Sequence, residues 1–574
     1  MLVAFVLMRD DSHAAADVQA TFCATLVDEW ARLGVRRAMV APGSRSTPLA
    51  LALARDERWS VSMFHDERSA AFAALGHSTS SGAPTLVLCT SGTAATHFHA
   101  AVVEADLSGT PLIVVTADRP PESLDVGAAQ TIRQNGLFGS AVRWSHDPGV
   151  ATMSVATSWR SLARRVVGAS IGSPAGPVHL NLPFREPLVG NPSELPVASS
   201  APSLLVGDRV LDDGALESLR RRLSVRRPLL VVGRGAPERV ITLALERGWP
   251  VLAESRTRSN PGVITHFDSL LRDEKFAGEQ LPDLLVRIGE APASKTLAQW
   301  SSRESVEQIH VSLDGRVFDP DHRIETRVVT SATDLDTVFA GLPDVVEGSW
   351  TSNWQEAERR ARDVIESALD ELGSSVGVSA VAAFVHALPA NSAVVVSSSM
   401  PIRHVEWFAG PLEGRLVVSN RGANGIDGVL ATAIGVALHR GGPVGVVLGD
   451  VAMLHDSSSL AALTSRGLDL RILVIDNDGG GIFHYLPQAT TVEPEIFETL
   501  YGTPHGTDFV ALARAHGVNA ELVDDVASLR RVAESDGPSL TVVRTDRDAE
   551  VEVHRMLHHR VSIALDGLGG ITNQ

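Results

Sequence analysis

Two short segments near residues 450 and 477 carry oxygen ligands at a spacing that would bring them side by side. An apolar run, Val444 to Leu448, ends at Gly449 and Asp450, and a second, Ile472 to Ile475, ends just before Asn477. Asn477 follows Asp450 by 27 positions, which suits one strand–helix–strand crossover. Parallel strands present ligands at their carboxyl ends, so the carboxylate and the amide oxygen would be neighbours. Such oxygens suit a hard divalent cation that also holds phosphate.

Three glycines, Gly479 to Gly481, follow Asn477 and would let the backbone approach a phosphate closely. A Gly-Asp pair that ends a strand is, by itself, most often only a turn. Two strand ends with metal-type oxygens at one crossover spacing favour a site for a metal and a diphosphate instead.

These segments resemble the diphosphate-anchoring motif of thiamine diphosphate (ThDP) enzymes. The resemblance implies that Asp450, Asn477 and the backbone carbonyl of Gly479 hold Mg²⁺ or Mn²⁺, and that these residues and Gly449 bind the cofactor. Val451 stands where the family usually has a second glycine, and Asp476 where it usually has a second asparagine.

The same resemblance singles out Glu67 and Ile426. It implies that the Glu67 carboxyl is catalytic: held out of bulk water, it hydrogen-bonds the aminopyrimidine ring and helps a ring nitrogen remove the thiazolium C2 proton. Ile426 would prop the cofactor in its bent shape. Without the resemblance, such a glutamate is more often solvated or ion-paired, and such an isoleucine more often packs against the next helix. In the family, the residues matching Glu67 and Asp450 come from different subunits, which implies a homodimer, with a tetramer left open.

Four longer motifs resemble the menaquinone-pathway branch of the ThDP family. They are PGSRSTPL (42–49), TADRPPE (116–122), SSSMPIR (397–403) and SNRGANGIDG (419–428). The resemblance implies a transferase that decarboxylates 2-oxoglutarate and adds the succinic-semialdehyde carbanion to isochorismate. The products would be 2-succinyl-5-enolpyruvyl-6-hydroxy-3-cyclohexene-1-carboxylate (SEPHCHC) and CO₂.

Both implied substrates are dianions, whereas the chain has a net charge of −18. Local cations must therefore bind them, and arginine suits planar carboxylates because its fork makes paired hydrogen bonds. Taken singly, each arginine is more often part of a surface ion pair. The positions that match substrate contacts of the family are Ser44, Arg45, Arg119, Gln130, Ser399, Arg403 and Arg421, with Ile482 and Phe483 as an apolar wall and Lys295 from a basic pair whose second position is Thr296 here.

The length of 574 residues, with 44% hydrophobic and 21% charged residues, indicates a globular chain with several cores. Strand-like runs alternate with helix-like segments, which predicts an α/β protein with doubly wound parallel sheets. The expected division is a first domain at 1–187, a linker at 188–203, a central domain at 204–343 and a last domain at 344–574. The resemblance implies the ThDP-enzyme order for them: pyrimidine-binding, central and diphosphate-binding.

The acidic balance argues against binding to nucleic acid, and no apolar run approaches the ~20 residues of a membrane helix. Two cysteines, Cys23 and Cys89, fit a reducing cytoplasm. Two alternatives stay open at this point. One is another ThDP-dependent 2-oxo acid decarboxylase or carboligase, similar to acetolactate synthase, and the other is a non-catalytic cofactor-binding or scaffold protein.

Overall fold

The computed structural model describes residues 2–198, 203–257, 260–303, 305–345, 347–373, 376–412 and 414–568, with side chains from residue 14 onward. The chain divides into two compact units, each assembled from separate segments. The first unit contains Met1–Val206, Asn420–Gly441 and His455–Leu468; the second contains Gly207–Ser419, Gly442–Leu454 and Asp469–Gln574.

The first unit contains a six-stranded parallel sheet in the order β2-β1-β3-β4-β6-β5. Its strands are β1 (Arg37–Val40), β2 (Ser60–Met63), β3 (Thr85–Cys89), β4 (Leu112–Asp118), β5 (Trp144–His146) and β6 (Pro177–Pro183). The helices along this part of the chain are α1 (Leu2–Arg32), α2 (Thr47–Arg55), α3 (Glu67–Ser81), α4 (Thr93–Thr96), α5 (His99–Ser108) and α6 (Trp159–Ser170). Every residue of β3, β4 and β6 is buried, as expected of parallel strands covered on both faces.

The second unit contains two further parallel sheets, and the first of these has the order β11-β10-β9-β7-β8. Its strands are β7 (Pro228–Val232), β8 (Val251–Ala253), β9 (Leu284–Ile288), β10 (Glu307–Ser312) and β11 (Thr326–Val329). The accompanying helices are α7 (Asp213–Leu223), α8 (Glu238–Glu246), α9 (Phe267–Leu271), α10 (Glu274–Glu279), α11 (Lys295–Ser301) and α12 (Ala332–Ala340).

The last sheet has six parallel strands in the order β13-β12-β14-β15-β17-β16. They are β12 (Ala393–Val396), β13 (Leu416–Val418), β14 (Val444–Gly449), β15 (Leu470–Asp476), β16 (Asn519–Leu522) and β17 (Ser539–Arg544). The remaining helices are α13 (Gly348–Leu372), α14 (Gly377–Ala387), α15 (Met400–Phe408), α16 (Val429–Arg440), α17 (Asp450–His455), α18 (Ala461–Thr464), α19 (Gln488–Thr491), α20 (Pro494–Phe497), α21 (Phe509–Ala515), α22 (Val526–Glu534) and α23 (Arg547–Leu565). The predicted class, three doubly wound α/β sheets, is confirmed.

Helices α16 and α18 belong to the first unit, although they connect strands of the last sheet. Gly76 of α3 lies so close to α16 that a Cβ at this position would overlap the carbonyl of Thr432. Likewise, a Cβ at Gly435 of α16 would overlap the carbonyl of Ala73 on α3. Small residues on both helices therefore allow their backbones to approach closely.

The charged, tryptophan-containing stretch before the last sheet forms the long helix α13. Its Trp350 and Trp354 are fully buried in a core that also includes Phe267 of α9 and Leu557 of α23. The domain boundaries stay predictions, and residues 199–202 of the expected linker lie outside the described residues. Among the described residues, no single helix has both the length and the apolar composition needed to cross a membrane; the bent pair α13–α14 passes that test only when taken together.

Candidate active site

The predicted diphosphate ligands follow the carboxyl ends of β14 and β15, two interior strands of the last sheet. The two strands pair in parallel, with Val444 opposite Leu470 and Gly449 opposite Ile475. Asp450 and Asn477 therefore follow adjacent strands at the same edge of the sheet. This adjacency is what the 27-residue spacing predicts.

Asp450 is buried, and backbone N–H groups surround its carboxylate. Its Oδ2 accepts hydrogen bonds from Asn477 N at 3.0 Å and from Gly479 N at 2.8 Å, while Oδ1 accepts one from Val451 N at 2.7 Å. Burial raises the pKa of Asp450, although these N–H groups and nearby His505 act in the opposite direction. A cation beside the carboxylate would stabilise its charged form.

The side-chain oxygen of Asn477 is buried and accepts no hydrogen bond within the described part of the chain. A buried polar atom without a partner is costly, so this oxygen calls for a ligand. Gly479, at φ +139°, passes so close to the Gly502 carbonyl that a Cβ would overlap it, and Gly481 packs equally closely on the Asn477 amide. The residues present thus fit a metal held with a diphosphate.

His505 and Asp476 also lie at this edge, and neither was predicted. His505 Nε2 is 3.4 Å from Asp450 Oδ2, and potential ligand atoms of Asp450, Asp476 and His505 all lie within 4.8 Å of one another. His505 arrives from a distant loop whose backbone, at His505 and Gly506, donates two hydrogen bonds to Asp478. Only the folded chain reveals this proximity.

Ile482 and Phe483 lie on the 3₁₀ turn Gly481–Tyr485, which directly follows the glycines. Both side chains are half-buried, and the Phe483 ring lies 5.3 Å from the Tyr501 ring, measured between centroids. The predicted apolar wall therefore adjoins the diphosphate ligands in the chain.

Ser399 and Arg403 lie together at the start of α15. Ser399 has a φ of +72°, and its carbonyl accepts a hydrogen bond from the Arg403 guanidinium. Burial lowers the pKa of Arg403, although the charges of Glu406 and Asp268 oppose that shift. Lys295 is exposed at the first residue of α11.

Arg45 and Arg119 converge in the first unit on one carboxylate, that of Glu186. Arg45 Nη2 donates to Glu186 Oε1 at 2.8 Å, and Arg119 Nη1 lies 4.0 Å from the same oxygen. Burial is the main cause that lowers the pKa of Arg45, and the charge of Arg119 adds to it. Ser44 is exposed beside Arg45.

Gln130 has a φ of +54° and is tied to the loop that follows β3. Its Nε2 donates to the Ser91 carbonyl at 3.0 Å, and Ser91 Oγ donates to the Gln130 carbonyl at 3.0 Å. Reciprocal bonds of this kind fix the loop that bears Gln130 against the carboxyl end of β3.

Glu67 is the first residue of α3 and is half-buried. Asp66 caps this helix by accepting from Arg68 N and Ser69 N, and Ser458 Oγ donates to Asp66 at 2.7 Å. The charge of Glu67 contributes to a raised pKa of the buried Cys89 thiol at the end of β3, although burial is the larger cause. The glutamate is therefore held at the carboxyl edge of the first sheet.

Ile426 and Arg421 are half-buried on the loop between Asn420 and α16. The buried carboxylate of Glu104, on α5, anchors this loop by accepting from Gly422 N and Ala423 N, each at 2.7 Å. Glu104 was not predicted as a site residue, because nothing near it in the sequence indicates its partners.

The predicted residues fall into two groups, one in each unit. The first unit holds Ser44, Arg45, Glu67, Arg119, Gln130, Arg421 and Ile426; the second holds Lys295, Ser399, Arg403, Gly449, Asp450, Asn477, Gly479, Ile482 and Phe483. Direct hydrogen bonds join Ser399 with Arg403, and Asp450 with Asn477 and Gly479. Arg45 and Arg119 are linked indirectly, because each forms an ion pair with Glu186.

Comparison with known proteins identifies three family domains in the chain. Residues 21–137 match the N-terminal TPP binding domain of thiamine pyrophosphate enzymes, 216–395 their middle domain and 405–543 their C-terminal TPP binding domain. A solved structure of benzoylformate decarboxylase from Polynucleobacter necessarius superposes with a TM-score of 0.71 at 18% identity, covering 92% of this chain and 98% of that one, and so supports the fold.

The three matched domains and the fold thus define an enzyme that uses thiamine diphosphate. A 2-succinyl-5-enolpyruvyl-6-hydroxy-3-cyclohexene-1-carboxylate synthase from Chloroflexus aurantiacus is 40% identical, with 95% of this chain and 97% of the relative covered. One from Myxococcus xanthus is 38% identical, with 96% and 98% covered. The chain belongs to the family of these SEPHCHC synthases.

Proposed function

We propose that this enzyme decarboxylates 2-oxoglutarate and adds the resulting four-carbon carbanion to isochorismate, giving SEPHCHC and CO₂ in menaquinone biosynthesis. The observation that carries the proposal is the Asp450 carboxylate beside the Asn477 side-chain oxygen, which has no hydrogen-bond partner among the described residues, at the carboxyl ends of β14 and β15. The near full-length similarity to SEPHCHC synthases supports this choice of substrates.

Asp450, Asn477 and the Gly479 carbonyl would hold Mg²⁺ or Mn²⁺ and, through it, the diphosphate of the cofactor. When bound, the cofactor supplies the electron sink that allows a 2-oxo acid to lose CO₂. The glycines at 479–481 let the chain that follows Asn477 pack closely on the Tyr501 and Gly502 carbonyls and on the Asn477 amide, where a Cβ would overlap those atoms.

Glu67 would act on the pyrimidine ring of the cofactor. Its carboxyl group stands at the first turn of α3, fixed by the Asp66 cap, and a hydrogen bond from it to a ring nitrogen would assist proton removal. Ile426, on the loop held by Glu104, would support the cofactor with an apolar contact.

The arginines would recognise the carboxylates of the two substrates. Glu186 is exposed and accepts a hydrogen bond from Arg45, while Arg119 lies 4.0 Å from the same carboxylate oxygen, so the two guanidinium groups are close together. Arg403 is directed by the Ser399 carbonyl, and Arg421 shares its loop with Ile426. Lys295, Gln130, Ser44, Ile482 and Phe483 complete the proposed substrate contacts.

The enzyme would work as a homodimer, or a tetramer built from two dimers, with each cofactor bound between Glu67 of one chain and Asp450 of another. Support comes from the similarity to ThDP enzymes over nearly the full length. A cytoplasmic location is supported by the two cysteines, Cys23 and Cys89, which are both buried and free.

The test is product formation with defined substrates. Purified enzyme depleted of cofactor and metal is incubated with 2-oxoglutarate and isochorismate, and CO₂ and SEPHCHC are measured with ThDP and Mg²⁺ added together or singly. We expect both products only when both additions are present. Efficient turnover of pyruvate with none of 2-oxoglutarate would instead place the protein nearer to the acetolactate synthases.

A further inference from the structure

A second group of potential metal ligands lies in the second unit, between α15 and α23. It consists of His404 on α15 together with Glu550 and His554 on α23. Glu550 and His554 are four residues apart and so face the same side of the helix. One ligand atom from each of the three side chains lies within 4.8 Å of the other two.

All three residues are buried, with exposures of 3% for His404, 5% for Glu550 and 3% for His554. Within the described part of the chain, neither ring nitrogen of either histidine makes a hydrogen bond, and neither does Glu550 Oε2. Five buried polar atoms without partners in one small volume would be costly in a protein interior unless something binds them.

The Glu550 carboxylate is held in place by its other oxygen, which accepts a hydrogen bond from Gly377 N at the start of α14. Glu550 Oε2 lies 3.9 Å from His404 Nε2, too far for a hydrogen bond but suited to two ligands that share an ion after small movements.

Aromatic side chains enclose the group. The rings of Phe408 and Tyr485 each lie 5.0 Å from the His554 ring, and that of Trp407 lies 6.0 Å away, measured between centroids. Such walls exclude bulk water, which strengthens the interaction between an ion and its ligands.

We propose that His404, Glu550 and His554 form a binding site for a transition-metal ion of the zinc class, separate from the Mg²⁺ site at Asp450. Two imidazole nitrogens and one carboxylate oxygen suit Zn²⁺ and similar ions, whereas Mg²⁺ prefers oxygen ligands alone. The ion would join α15 to α23. If the proposed function holds, the ion would also steady Arg403, the residue that precedes His404.

Metal binding is tested first with the unmodified enzyme. Full-length protein is treated with a chelator, saturated with Mg²⁺, titrated with Co²⁺ or Zn²⁺, and passed through a desalting column before bound metal is measured. We expect one Co²⁺ or Zn²⁺ per chain, a visible Co²⁺ absorption spectrum typical of nitrogen and oxygen ligands, and a higher melting temperature. The absence of retained metal would overturn the proposal, because a bridging water would then suffice for these groups.

Variants then locate the ion. His554→Gln and Glu550→Gln should each weaken Co²⁺ binding at least tenfold. His558→Gln is the matched control: this histidine lies one turn further along α23, and its Nδ1 already pairs with Ser269. Asp450→Ala should still bind one Co²⁺, which would separate this site from the proposed Mg²⁺ site and from any failure of the proposed function. Unchanged Co²⁺ binding in both glutamine variants would contradict the assignment.

Discussion

The buried amide oxygen of Asn477, which has no hydrogen-bond partner within the described segments, gives the most specific prediction at the residue scale. Asn477→Ala removes that oxygen but keeps the backbone bond to Asp450, so ThDP affinity in the presence of Mg²⁺ should fall about tenfold or more, as for loss of a hydrogen bond to a charged group. Isothermal calorimetry measures this directly. The control is Asn519→Ala, an exposed asparagine on the edge strand β16, which should bind ThDP normally. Equal affinities for the two variants would remove Asn477 from the metal site.

The catalytic role of Glu67 is tested by a substitution that preserves the shape of the side chain. Glu67→Gln keeps the side chain at the start of α3 but removes the carboxylate, so turnover should fall by about two orders of magnitude or more. The melting temperature should stay close to that of the wild type, since Asp66 rather than Glu67 caps the helix. Glu57→Gln, at an exposed glutamate in the same unit, serves as the control. Turnover that stays at the wild-type value would exclude a catalytic role.

A substitution at Arg119 tests how the enzyme recognises its anionic substrates. Among the described residues, the ion pair given for its guanidinium is the 4.0 Å contact with Glu186, so the group is available to a substrate carboxylate. Arg119→Ala should raise KM for one of the two dianionic substrates about tenfold or more, which corresponds to one lost charge-assisted hydrogen bond. Arg133→Ala, which removes an exposed arginine paired with Asp125, should leave both KM values unchanged. A wild-type KM for both substrates in Arg119→Ala would contradict the assignment.

The ligands at strand ends could be predicted from sequence, because short-range patterns place them. Asp450 and Asn477 each follow a buried apolar run, and their spacing fixes the strand pairing. Glu104, Glu186 and His505 could not be predicted in this way. Each acts on a residue far away in the chain, and no local pattern marks a carboxylate or imidazole that meets its partner only after folding.

At the scale of elements, an apolar run predicts a strand more readily than a segment that mixes proline with polar residues. Strands β14 and β15 contain the two predicted apolar runs, Val444 to Leu448 and Ile472 to Ile475, which are rich in valine, isoleucine and leucine. The missed strand β6, with the sequence PVHLNLP, has proline at both ends and polar residues within, although it lies inside the sheet. Its His179 and Asn181 are satisfied by Thr116 of the neighbouring strand, a compensation that the sequence does not display.

The crossing of α3 and α16 gives a prediction about stability. Gly435→Ala would place a methyl group against the Ala73 carbonyl, so the free energy of unfolding should fall by about 1–3 kcal/mol, as for other overpacked sites. Chemical denaturation would measure the change. Gly278→Ala is the control, because a Cβ at that exposed position in α10 meets nothing within 4 Å and should not destabilise the protein. A Gly435→Ala protein as stable as the wild type would show that the helices separate easily.

At the scale of the whole molecule, the three-sheet class follows from the alternation of strands and helices, but the division into two units does not. Residues 420–441 and 455–468 join the first unit through contacts such as those of Gly435 with α3, which link distant parts of the chain. These segments carry Arg421 and Ile426, so the first unit holds both Glu67 and the proposed apolar support of the cofactor.

In the proposed dimer, one chain supplies Glu67 and a second chain supplies Asp450 to each bound cofactor. Subunit complementation tests it: differently tagged Glu67→Gln and Asp450→Ala proteins, each folded and inactive, are unfolded, mixed in equal amounts and refolded. If each site combines two chains, mixed dimers contain one complete site, and about a quarter of wild-type turnover should return. If tandem affinity purification recovers mixed dimers and these show no turnover, the claim is contradicted.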